Sequence, residues 1–227
     1  SRGLGDVYKR QGEEVVDQGS FDTSDLKEAR TITSGWQSQQ NLEPSCTPCS
    51  LFNIMYELSQ RTVAPLDICP TYKDVCKALE YSDILGVKWD IIEPAMSKIL
   101  RKSKNKLWMF KTKQNDRSLP VKLLCEIIKS ENCSYPIMSL GPEYLHDEYG
   151  IELKGNPFNW PGHVIVVICC NYGDCLIFDP YSKQIMQEPV RTISKERLNK
   201  YWYSTSPPRS LGWFERNKGV LEEYPRS

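Results

Sequence analysis

Apolar positions recur at helical spacing through the first half of the chain and gather into short runs in the second. Leu51, Ile54, Met55 and Leu58 fall at i, i+3, i+4 and i+7, which predicts a helix over residues 47–60 with one buried face. Pro48 suits its first turn, where a missing N–H costs nothing, so Cys46 stands at the helix N-terminus. Similar spacing predicts helices over residues 71–81, 90–102 and 118–130. In the last, Ser118 is the cap, Pro120 lies in the first turn, and Val121, Leu124, Ile127 and Ile128 form the stripe. Ser24 is the expected cap of a short helix over Asp25–Arg30, and Lys106–Lys111 reads as a strand or an extended connector.

After residue 133 the pattern changes to strands. Pro136–Leu140, the β-branched run His163–Cys170 and the run Asp174–Asp179 predict three of them, with Gln184–Gln187 a weaker fourth. A helix capped by Ser194 follows over Ser194–Tyr201. Helices first and strands later predict an α+β arrangement.

The loop Asn171-Tyr172-Gly173 fits a three-residue hairpin that wants a left-handed glycine at its third position. That loop pairs Cys170 with Asp174, Ile165 with Asp179 and His163 with Tyr181. His163 and Asp179 then point to one side as diagonal neighbours. A four-residue loop would put them on opposite faces.

The 227 residues and a 40% hydrophobic content suffice for one substantial core. Residues 1–11 read as translated adapter sequence and are set aside; residues 12–34 read as a polar leader or linker, and 35–227 as a single domain. Twenty-nine basic and twenty-nine acidic residues cancel, so no bulk charge draws the chain to nucleic acid or an anionic membrane. The strongest apolar run, Val164–Cys170, is too short to span a bilayer. Nine cysteines, an odd number scattered through apolar segments, do not resemble a secreted disulfide framework and point to a reducing, cytoplasmic setting.

A reactive cysteine needs its thiolate stabilised, and a helix N-terminus does this through free N–H groups and the helix dipole. Cys46 has that position. The residues before it, Gln37 to Ser45, are rich in amides able to donate to a developing oxyanion. On this segment alone an unreactive buried thiol is an equal reading. A base for Cys46 must be one of two histidines. His146 lies in a charged stretch and reads as a solvated surface residue, whereas His163 opens a strand.

These residues together resemble the papain-like clan, and within it the C39-like peptidases. Gln40 lies six before Cys46, and C-T-P-C-S-L opens the helix where that group has C-G-P-x-S-L. Gly162-His163-Val164-Ile165-Val166-Val167 resembles its G-H-x-V-V-V strand, Asp179-Pro180 its D-P hairpin end, and Ile193-Ser194 through Leu198 to Trp202 its following helix. The resemblance covers residues 32–203. It implies a papain-like fold, with the nucleophile helix packed on an antiparallel sheet that carries the base. It further implies that Cys46 attacks a carbonyl carbon, His163 exchanges the proton, Asp179 orients His163, and Gln40 with the Cys46 N–H holds the oxyanion. The substrate would be a peptide or protein, with no cofactor or metal. Trp160 and Gly162, next to His163, are the candidates to line its cleft, and a stabilising aromatic cluster of Phe158 and Trp160 is an equal reading of that loop. Thr47 departs from the family's glycine, and a long helical insertion separates nucleophile from base.

Four alternatives remain at this point. Cys46-Thr47-Pro48-Cys49 could be a thioredoxin-like redox motif, but no strand feeds the helix as a βαβ unit requires. A zinc site could draw on Cys46, Cys49, Cys169, Cys170 or Cys175, yet Cys169 and Cys170 are adjacent in a strand and face opposite ways. A papain-like module without activity, and an acyltransferase of the transglutaminase kind, are the others.

Overall fold

The run His163–Cys170 lies in the interior of an antiparallel sheet, buried along its whole length. Being covered on both faces, it reads as a continuous apolar run. In the computed structural model the described residues are 21–38, 45–62, 65–82, 87–102, 106–114, 121–152, 162–181, 188–203 and 209–217. Their elements run α1 (Thr23–Ile32), α2 (Cys46–Gln60), α3 (Tyr72–Ala78), a 3-10 turn (Trp89–Ile91), α4 (Ile92–Lys102), β1 (Trp108–Lys113), α5 (Val121–Lys129) and β2 (Ile137–Leu140). There follow α6 (Pro142–Tyr149), β3 (His163–Cys170), β4 (Asp174–Phe178), β5 (Val190–Ser194), α7 (Lys195–Tyr203) and β6 (Leu211–Arg216). The six strands form one sheet in the order β1-β6-β2-β3-β4-β5, every pair antiparallel.

Strand alternation divides the core into two layers. Val164, Val166, Ile168 and Phe178 face Leu51, Ile54, Met55 and Leu58 of α2, with Ile92, Met96 and Ile99 of α4 behind. Ile165, Val167 and Ile177 face Leu124 of α5, Tyr144 and Leu145 of α6, and Leu198 and Trp202 of α7. The insertion between nucleophile and base thus builds on both layers and adds the edge strand β1. Residues 21–34, at the end of the polar stretch, also belong to the structure: α1 carries Ala29 into the first core layer.

Some expectations are corrected. Asp22, not Ser24, caps α1, accepting from the Ser24 and Asp25 N–H groups at 2.7 and 3.0 Å. Asp25 returns the bond to the Asp22 N–H, a reciprocal box that a serine at position 24 cannot make. β5 and β6 were not anticipated. β5 buries only Val190 and Ile193, so it lacks two-residue alternation. β6 contains Gly212, a weak strand former, on which the Phe110 ring of β1 rests. The weak strand at 184–187, and the cap residues Ser118 and Pro120, lie outside the described residues.

The hairpin is the most instructive difference. Cys170 pairs with Cys175, not Asp174, so the loop has four residues, 171–174. Asn171 organises it: its side-chain oxygen accepts from the Gly173 and Asp174 N–H groups at 3.0 and 2.7 Å. Gly173 does not adopt a left-handed conformation. The four-residue loop shifts the register by one, and a bulge between Val167 and Cys169 shifts it back. Beyond the bulge Val166 pairs with Phe178, as the three-residue loop would have required. Two offsets of one residue cancel, and His163 and Asp179 end on the same face.

Candidate active site

α2 begins at Cys46 because Pro48 fits its first turn and the apolar stripe from Leu51 seats it on β3. Ser50, fully buried in α2, reaches the Val164 carbonyl at 3.5 Å and ties the helix start to the strand start. Ser45 makes no side-chain cap, so the N–H groups of the first turn are not taken up by it. Cys46 is 6% exposed and lies in contact with the His163 side chain, the Val164 backbone and the Thr47 hydroxyl. Thr47, which stands where the resembled family has glycine, is therefore a further hydrogen-bond partner of the thiol.

His163 is fully enclosed at the end of β3. Its Nε2–H donates to Asp179 Oδ1 at 2.7 Å, which leaves Nδ1 for the Cys46 thiol. Burial pulls the imidazole pKa down, but the Asp179 carboxylate and the Cys46 contact outweigh it and raise it to about 10. Burial likewise pushes the Cys46 thiol up, yet His163, Val164 and Thr47 together bring it below its ordinary value. Asp179 is held well below the usual carboxylate range: burial opposes ionisation, and His163, Tyr144 and Tyr149 overcome it. The three groups therefore favour a thiolate–imidazolium–carboxylate arrangement.

Asp179 holds more than one partner. Oδ1 also accepts the Tyr181 N–H at 2.9 Å, and Oδ2 accepts the Tyr144 hydroxyl at 2.5 Å, the Tyr149 hydroxyl and Arg191 Nη2 at 3.3 Å. Arg191 donates to both tyrosine hydroxyls and to Glu148 Oε2 at 3.2 Å. Burial and the Asp179 charge raise both tyrosine pKa values, keeping them protonated as donors. The Tyr144 ring stacks on the imidazole, with centroids 5.6 Å apart and planes 10° from parallel.

Tyr144, Tyr149 and Arg191 were missed in the sequence. The available signal was the demand of the carboxylate itself. A buried Asp has about four acceptor sites, and one imidazole fills one of them. Of the expected site residues, Cys46, His163 and Asp179 come together. Gly162 precedes His163, is exposed, and has room for no more than a tight Cβ, 3.3 Å from the Leu140 carbonyl. Gln40 and Trp160 lie outside the described residues. His146 is exposed on α6 and its Nδ1 lies 3.1 Å from the Ile151 carbonyl. Cys49 is buried in α2, and burial, with Cys46 next to it, pushes its thiol up to about 12. Among the described residues no cluster of three His, Cys, Asp or Glu has the arrangement to hold a metal ion, and no helix is long and apolar enough to cross a membrane.

No protein-family model matches the chain, and no curated protein matches it. Solved structures do. A protein assigned as a C39-like peptidase from Bacillus anthracis superposes with a TM-score of 0.50 at 13% identity, over 80% of this chain and 95% of that one. The fold is the papain-like fold of the C39-like peptidases. The peptidase domain of Streptococcus ComA, a bi-functional ABC transporter, gives a TM-score of 0.47 at 14% identity, over 80% of this chain and 97% of that one. At such identities the likeness is one of fold, and the chemistry rests on Cys46, His163 and Asp179 themselves.

Proposed function

We propose that this chain is a cysteine-dependent hydrolase that cleaves peptide bonds through a thioester. The observation that carries the proposal is the contact of Cys46, at a helix N-terminus, with an imidazole held 2.7 Å from a buried carboxylate. In this scheme the Cys46 thiolate attacks the scissile carbonyl carbon. The tetrahedral oxyanion is met by the Cys46 N–H and the Gln40 amide. As the C–N bond breaks, His163 gives its proton to the leaving amine. His163, now neutral, takes a proton from water, whose oxygen attacks the thioester and releases the acid. Asp179 keeps the ring turned and supports its charged form. Gly162, with no side chain at the mouth of β3, leaves its backbone open to an extended peptide, and Trp160 is the second residue assigned to the substrate from the sequence.

The test combines a diverse peptide mixture with acid-quench mass spectrometry. An acyl adduct on Cys46, cleavage products carrying oxygen from labelled water, and loss of both in C46A are expected. Products joined to an added amine in place of water would move the assignment to acyl transfer. A reactive Cys46 that forms no adduct and cleaves nothing would overturn the proposal and leave a binding module.

A further inference from the structure

Three other thiols meet at the opposite end of β3 from His163. Cys170 closes β3 and Cys175 lies in β4 directly across from it, with the two Sγ atoms 2.7 Å apart. Cys125 of α5 packs against the same core layer and hydrogen-bonds with Cys170. The three differ in access: Cys170 and Cys175 are 5% and 0% exposed, whereas Cys125 is partly open. Lys195 hydrogen-bonds with Cys125, and its backbone N–H donates to the Gly173 carbonyl at 2.8 Å, fixing it beside the hairpin loop. Lys129, one turn along α5 from Cys125, adds a second positive charge. Cys169, adjacent in sequence, faces the other core layer and takes no part.

We propose that this cluster is a peroxide-reactive thiol site, in which Cys125 receives the oxidising equivalent and Cys170 and Cys175 end as a disulfide. Directly opposed residues of an antiparallel pair have Cα atoms about 4.5–5.5 Å apart. A disulfide spans about 4.4–6.8 Å, so the bond forms without moving the backbone. The hydrogen bond from Cys170, with the Lys195 and Lys129 charges, outweighs burial and lowers the Cys125 thiol below its ordinary value. Cys170 is driven the other way, by its hydrogen bonds to Cys125 and Cys175 and by burial, and keeps its proton. The accessible thiol is thus the nucleophile, and the enclosed ones resolve it.

The steps balance with hydrogen peroxide as oxidant. The Cys125 thiolate attacks one peroxide oxygen; the S–O bond forms, the O–O bond breaks, and hydroxide leaves to become water. Cys170 attacks the sulfenic sulfur; the S–S bond forms, the S–O bond breaks, and a second water departs with the Cys170 proton. Cys175 then attacks Cys170, forming the Cys170–Cys175 bond and releasing Cys125 as its thiolate. Overall, two thiols and one peroxide give one disulfide and two waters.

The experiment treats the C46S protein with hydrogen peroxide at neutral pH, blocks remaining thiols and sequences the cysteine fragments. A Cys170–Cys175 disulfide is expected, with C125S slowing its formation about tenfold or more, because an ordinary thiol is only a few per cent ionised at pH 7. K195M is the second variant and should slow it in the same direction while keeping all three thiols. Equal rates with and without Cys125, or oxidation confined to other cysteines, would overturn the proposal. Because Cys46 is absent throughout, neither outcome depends on the peptidase assignment.

Discussion

Tyr144 lies parallel to His163 and donates its hydroxyl, at 2.5 Å, to the Asp179 that holds the same imidazole. Ring and carboxylate are thus fixed from one side chain, and the orienting group of the site is a buried network of two tyrosines and an arginine around Asp179.

Removing the Asp179 charge tests the centre of that network. In D179N, His163 loses the partner that raises it to about 10, and Arg191 loses a carboxylate. By analogy with the serine-protease triad, kcat on a cleaved peptide should fall about 10⁴-fold. Leaving buried cations without their carboxylate should cost about 3–5 kcal/mol in denaturant unfolding. A variant with near-wild-type turnover would remove Asp179 from the mechanism.

Arg191 is a positioning residue, since it reaches Tyr144, Tyr149 and Asp179 without facing Cys46. R191M should lower kcat more than it changes KM and destabilise the fold by about 1.5–3 kcal/mol, the range for hydrogen bonds to charged groups. R191K should not rescue kcat, because an ammonium lacks the planar fork that serves two hydroxyls and two carboxylates. Full rescue by lysine would reduce Arg191 to a bulk charge.

Stability should depend on pH with a sign set by each partner. The folded His163 pKa is raised from 6.5 to about 10, so its contribution is complete below 6.5 and lost as pH rises through 10. Asp179 is depressed below 3.8, so its contribution is complete above 3.8 and lost as pH falls below it. Cys46, lowered from 9.0, acts in the opposite sense to His163 over the alkaline window. Cys125, also lowered from 9.0, opposes His163 in the same way, so the comparison belongs in a C46S/C125S background, where Asp179 still raises His163. There the urea midpoint should decline from about pH 7 to pH 10. Replacing His163 with alanine should remove that slope, and an unchanged slope would place its origin elsewhere.

Much of this site was legible in the chain. The stripe Leu51, Ile54, Met55 and Leu58 placed Cys46 at a helix start, and the β-branched run placed His163 at a strand start. Arg191 and Tyr149 were not legible, because they sit on an edge strand and a charged helix whose patterns carry no strong period. The pairing of His163 with Asp179 was anticipated through a turn that does not form. A local motif fixes only the register beside it, and the bulge at Ile168 lies within a uniformly buried run where nothing in the hydrophobic pattern marks it.

Two glycines give a direct test of the hairpin. Gly173 is not left-handed, and a methyl group there would meet nothing within 4 Å, so alanine fits. G173A should be neutral or stabilising by about 0.4–1 kcal/mol, through the reduced freedom of the unfolded chain. Gly150, with φ +67, ends α6 in the left-handed conformation and donates to the His146 carbonyl at 2.8 Å. G150A should destabilise by about 1 kcal/mol, because a Cβ disfavours that backbone. The contrast is read from paired denaturation midpoints. A three-residue loop with a left-handed Gly173 would instead make both substitutions costly, and would leave the bulge without the offset it cancels.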